Sequence, residues 1–123
     1  MPILDITLVL ADELTLAEGT AKQLADAAAA VFQSTPGRTW VKLRTLTADQ
    51  YAEDDGGPPE DVAPVFVSVL KASLDHQGAL ADEALALTEA IAQILNRPPE
   101  NVHILYEPPA GGRIAFGGKW VQY

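Results

Sequence analysis

Pro2 offers the least common chemistry in this chain. Initiator methionines are removed when the second residue is small, so loss of Met1 leaves Pro2 with a free secondary amine. That amine opens an apolar run, Ile3 to Leu10. There, burial and nearby cations penalise the protonated form and pull its pKa below the ordinary α-amino value of about 8. A secondary amine that is neutral near pH 7 is a general base. The competing reading is a proline with no N–H to spend at the start of a strand. Candidate cations follow on a second alternating run, where Trp40, Lys42 and Arg44 share one face. Two bases beside an aromatic wall can hold a carboxylate, or they can pair with acidic neighbours on an exposed face. His76 and His103 lie far apart with no carboxylate motif beside either, so no metal site is expected. Gly111-Gly112 and Gly117-Gly118 lack the spacing of a nucleotide-binding loop, and no cofactor is implied.

Composition narrows the class. With 123 residues and 48% hydrophobic content, residues 1–123 read as one domain. The net charge of −9, without a basic run, excludes nucleic acid and anionic membrane surfaces as partners. Absence of cysteine removes disulfides, thiolate metal sites and cysteine nucleophiles. The first residues lack the basic and long apolar regions of a signal peptide, and no apolar stretch approaches the ~20 residues that span a bilayer. A cytoplasmic location is the natural expectation.

The elements that must position these residues repeat. Leu4, Ile6, Leu8 and Leu10 alternate with Ile3, Asp5, Thr7 and Val9, a strand with one core-directed face. Thr15-Leu16-Ala17-Glu18 reads as a capping box. Ala17, Ala21, Leu24, Ala28, Val31 and Phe32 then recur at helical spacing, with Gly19 weakening the first turn and Pro36 ending the run. Arg38 to Leu46 reads as a second strand. Residues 47–63 form an acidic connection with Gly56-Gly57-Pro58-Pro59. At Pro64 a third strand begins, and Ser73-Leu74-Asp75 offers the N-cap of a second helix with Leu80, Ala84, Leu87, Ile91, Ile94 and Leu95 buried. Asn96 and Arg97-Pro98-Pro99 stop it, and Asn101 to Tyr106 is a fourth strand.

Pro2 to Pro64 and Pro36 to Pro98 are the same distance apart, so residues 2–46 and 64–106 read as two β-α-β units. Right-handed crossovers allow both to share a four-stranded mixed sheet with two helices on one face, an α/β (α+β) fold. The other face carries apolar residues without cover, which predicts a homo-oligomer.

Arg97-Pro98-Pro99-Glu100-Asn101-Val102-His103-Ile104, followed by Gly112-Arg113-Ile114-Ala115-Phe116-Gly117-Gly118-Lys119, resembles the C-terminal signature of the tautomerase superfamily. The second half is similar to a whole subunit of 4-oxalocrotonate tautomerase. The doubled length resembles macrophage migration inhibitory factor and 5-carboxymethyl-2-hydroxymuconate isomerase, which are trimers. The resemblance implies a trimer, a glycine-rich hairpin over 111–123, and Pro2 as the base that moves a proton in a 2-oxo or enol acid. Pro64 matches Pro2, but its nitrogen is an amide and has no basicity. The family's second-strand arginine corresponds to Lys42, and to His103 in the second unit. Its other arginine is missing, its places falling near Asp12 and Leu74. Arg113 then stands near a neighbouring subunit's pocket, as a substrate ligand or an intersubunit tie. Ile114 and Phe116 keep that pocket apolar. Tyr106 donates to an oxyanion or packs at an interface.

The expected activity is a cofactor-independent tautomerase or isomerase acting on a small carboxylate, with Pro2 as base and Lys42, Arg44 or Arg113 holding the substrate. Two alternatives stay open: a proline-dependent hydratase or dehalogenase, and a non-catalytic oligomeric binding protein on the same scaffold.

Overall fold

The computed structural model describes residues 2–10, 16–55 and 63–122. Strand β1 (Ile3–Leu10) is followed by helix α1 (Thr20–Phe32), β2 (Trp40–Thr47), β3 (Val65–Leu70), α2 (Gln77–Leu95), β4 (Val102–Tyr106) and a hairpin of β5 (Ile114–Phe116) and β6 (Lys119–Val121). The four longer strands form one sheet in the order β2-β1-β3-β4. β1 runs parallel to β2, β3 runs parallel to β4, and the central pair β1 and β3 is antiparallel. This is the mixed sheet of two crossover units that the sequence predicts.

Alternation decides which face is covered. Leu4, Ile6 and Leu8 of β1 and Val65, Val67 and Val69 of β3 are buried against Leu24 and Ala28 of α1 and Leu87, Ile91 and Ala92 of α2. Both helices therefore lie on one side. On the opposite side Trp40, Phe66 and Leu105 are exposed, beside the half-buried Ile3 and Leu70. Leu105 keeps 61% of its surface, a large apolar exposure for a strand residue.

The helix starts differ from the sequence reading. Thr15 and Asp12 lie outside the described residues, as do residues 56–62 of the acidic connection. Helix α1 begins at Thr20, later than a Thr15 cap requires. Gly19 precedes it at φ 85°, a left-handed conformation that glycine adopts without a Cβ penalty, and the Thr20 hydroxyl donates to Ala17 O at 2.6 Å. In α2 the cap is His76 and not Ser73, Leu74 or Asp75: its Nδ1 accepts from Ala79 N at 3.2 Å. An unprotonated imidazole nitrogen can fill the role that side-chain oxygens usually take. The stop at Asn96 is as expected, with φ 55°.

The repeat is also shifted. The core-facing residues are even-numbered in β1 (Leu4, Ile6, Leu8) and odd-numbered in β3 (Val65, Val67, Val69), so the two units are related by an odd offset. The proline spacing suggests an even offset, which would exchange core and open faces because side chains alternate with period two. Pro64 is thus not the register equivalent of Pro2.

Candidate functional site

Pro2 is buried at the start of β1, next to the central strand pair. Its carbonyl accepts from Trp40 N at 3.0 Å, which fixes the start of β2 beside it. In the antiparallel register Ile3 faces Leu70, so Pro2 and Lys71 stand one step beyond the last pair. They line a common cavity of about 180 Å³ with Ala72 and Ser73. The segment after β4 closes this corner: Ala110 N donates to Lys71 O and Gly111 N to Ala72 O, each at 2.9 Å.

Lys71 belongs to a polar cluster on the helix side of the sheet. Its Nζ lies 3.2 and 3.3 Å from the two carboxylate oxygens of Glu83 on α2. The same ammonium sits 5.2 Å from the centre of the Phe32 ring. Tyr106 donates its hydroxyl to Glu83 Oε1 at 2.7 Å. Burial, with Glu83 as a hydrogen-bonded anionic neighbour, pushes the Tyr106 phenol well above its ordinary value near 10. It remains a donor at neutral pH. The cluster ties β3, α2 and β4 together behind the proline.

A second cavity, about 190 Å³, opens on the uncovered side of the same strand start and is lined by Ile3, Arg38, Trp40, Phe116 and Val121. Trp40 and Phe116 meet edge to face with ring centres 5.3 Å apart, which seats the hairpin against β2. Trp40 Nε1 donates to Gly37 O at 2.9 Å and holds the indole in place. Ile114 pairs with Val121 within the hairpin.

The remaining candidates separate. Lys42 and Arg44 share the open sheet face, as alternation predicts, but both turn to Asp5, at 3.1 and 3.4 Å. This is the pairing reading of those cations. His103 lies two strands away from β1, stacked on Phe66 with ring centres 5.4 Å apart, and Tyr51 stacks on the same ring at 5.7 Å. Arg113 donates to the carbonyls of Pro108 and Pro109 at 2.7 to 3.0 Å and so clamps its own loop. Tyr106 stands on the helix side, away from His103, with its hydroxyl on Glu83.

Sequence reasoning missed Lys71, Glu83 and Arg38. A signal existed for the first two. Lys71 continues the alternation of Val65, Val67 and Val69, and Glu83 falls on the same helical stripe as Leu80 and Leu87. Charged residues at core-facing positions imply a partner. Among the described residues no group of three or more His, Cys, Asp or Glu could hold a metal ion, and no helix is long and apolar enough to cross a membrane.

Two β-α-β units sharing a four-stranded mixed sheet, with a C-terminal hairpin, define a tautomerase-like fold. The chain is similar in structure to Pt0534, solved after inactivation by 2-oxo-3-pentynoate, with a TM-score of 0.74, 14% identity, and 97% of this chain and 94% of that one covered. It is similar to a fused 4-OT solved as a symmetric trimer, with a TM-score of 0.70, 18% identity, and 94% and 95% covered. Macrophage migration inhibitory factor from Oncomelania hupensis superposes with a TM-score of 0.73 and 16% identity over 98% of this chain and 81% of that one. These structural neighbours are members of the tautomerase superfamily. No family model matches the chain, and no curated protein matches it by sequence.

Proposed function

We propose that this chain is a cofactor-independent tautomerase or isomerase that shifts a proton in a small 2-oxo or enol acid, with the Pro2 amine as general base after removal of Met1. The observation that carries the reading is the cavity shared by Pro2 and Lys71. A buried amine beside an ammonium is disfavoured in its charged form, which is what a base working near neutral pH requires. In the reaction the neutral amine takes a proton from the enol oxygen or the acidic carbon. Charge then develops on the substrate oxygen, where the Lys71 ammonium stabilises it. The prolinium returns the proton to the new carbon, so no redox partner or cofactor enters the balance.

Lys71, and Arg38 in the neighbouring cavity, take the substrate-binding role in this reading. Lys42, Arg44 and Arg113 do not line the Pro2 cavity and turn instead to Asp5 and to loop carbonyls. The uncovered sheet face, carrying Phe66 and Leu105, is buried between copies in a trimer. A trimeric state of the structural neighbour fused 4-OT supports that assembly.

The test begins with the intact mass of protein from its native host, which should lack methionine. Enol-to-keto conversion of simple 2-oxo acids is then compared between the native protein and Pro2→Ala, with a loss of about 10²- to 10⁴-fold expected. A secondary amine adds to a conjugated alkynone, so 2-oxo-3-pentynoate should raise the mass of the Pro2 peptide by one whole reagent. An unchanged rate in Pro2→Ala would sink the proline mechanism.

A further inference from the structure

The chemistry proposed for Pro2 leaves one feature of its surroundings unused. Lys71 is held by a carboxylate that is itself held. Its side chain and that of Glu83 are only 19% and 15% exposed, and the Glu83 oxygen nearest Tyr106 accepts a phenol hydrogen bond at 2.7 Å. A carboxylate fixed from both sides cannot swing away from the ammonium. Lys71 is kept in place beside the cavity that it lines with Pro2.

We infer that Glu83 is the positioning residue of the Pro2 cavity: it holds the Lys71 ammonium in place and sets how strongly that charge acidifies the proline amine. The inference rests on the reading that Pro2 carries a free amine. An uncompensated Lys71 charge in the cavity that Pro2 lines would push the amine towards its neutral form. Glu83 offsets part of that field and leaves the amine basic enough to accept a proton. Tyr106 acts one step further out, by holding the Glu83 carboxylate in orientation. Among the described residues, the charged and titratable groups around this corner are Lys71 just after β3, Glu83 from α2 and Tyr106 from β4. Arg38 lies ahead of β2, Glu107 follows β4, and α1 contributes the uncharged Phe32. Arg38 and Glu107 are constant in every variant below.

The signs of the expected effects oppose each other. Glu83→Gln keeps size and hydrogen bonding but leaves the Lys71 charge uncompensated, so the amine becomes a weaker base. Lys71→Met removes the cation and leaves the carboxylate, so the amine becomes a stronger base. The amine is titrated directly by ¹⁵N NMR of the N-terminal proline in otherwise native protein. We expect its midpoint to fall by about one pH unit in Glu83→Gln and to rise by about as much in Lys71→Met. Lys71→Arg, which retains the charge, should stay near the native midpoint, and the acid limb of kcat/KM should follow the same order. A bridge that served only stability would weaken folding in both variants and leave the midpoint in place.

Midpoints that coincide within about 0.2 units, or that move in one direction, overturn the inference, as does a native protein with no titrating proline amine. If the two midpoints move apart while Pro2→Ala keeps full turnover, the electrostatic coupling stands and the catalytic reading falls. If Pro2→Ala abolishes turnover while the midpoints stay together, the catalytic reading stands and the role of Glu83 falls.

Discussion

Replacing Lys71 by Met tests whether the polar cluster behind Pro2 is a buried feature or a surface one. The ammonium is 3.2 Å from Glu83 Oε2, and both side chains are largely covered. Removing one member of a fully buried pair costs about 3–5 kcal/mol because the other charge is stranded, whereas an exposed pair contributes less than about 1 kcal/mol. Here the stranded carboxylate keeps the Tyr106 hydrogen bond and some contact with water. The expected loss is therefore about 2–3 kcal/mol. Methionine preserves an apolar stem but not the cation over Phe32, which adds about 0.5–1 kcal/mol at most. The control is Lys22→Met. Lys22 and Asp26 are closer, at 2.7 Å, but 77% and 64% exposed at helical spacing, so that loss is about 0.3–0.5 kcal/mol. If separation governed, Lys22 would matter more; if burial governs, Lys71 will. Urea unfolding at one fixed protomer concentration measures both, since any self-association adds to apparent stability. A Lys71→Met loss no larger than that of Lys22→Met would refute the reasoning.

Three further outcomes are expected. Leu87, fully buried in α2 against the sheet, should cost about 2–5 kcal/mol when changed to Ala, through lost contacts and a residual cavity; chemical denaturation reads it directly. Leu105→Asp on the open face should yield monomers by sedimentation with little change in α-helical circular dichroism, and an unchanged oligomer would show that this face is not the contact. The Tyr106 phenol has a folded pKa above its unfolded value, owing to burial and then to Glu83. Its stabilising contribution is therefore complete below about pH 10 and is lost as the pH rises further. A phenolate absorbance titration should show one tyrosine ionising only as the protein unfolds, and its ionisation alongside the others in folded protein would contradict the assignment.

The elements themselves were legible because their causes are local. Alternation in Ile3–Leu10 and Val65–Leu70, helical spacing from Leu80 to Leu95, and proline or left-handed stops at Pro36 and Asn96 all act within a few residues. The α2 cap escaped because histidine rarely fills that position, and the repeat offset because punctuating prolines sit in loops that tolerate a one-residue shift while paired strands do not.

For the candidate site the division is similar. The sequence by itself determined that a proline would precede the first strand, that the sheet would carry an apolar face without cover, and that Trp40, Lys42 and Arg44 would share one strand face. Only the tertiary structure decided which cation lines a cavity with Pro2. Lys42 and Arg44 lie across from Asp5 because β1 and β2 are parallel in a register that sets Asp5 beside Lys42. Lys71 shares a cavity with Pro2 because β1 and β3 are antiparallel, a pairing between residues some 70 positions apart. Charge neutralisation depends on such distances, and no periodicity along one strand encodes the register of its neighbour.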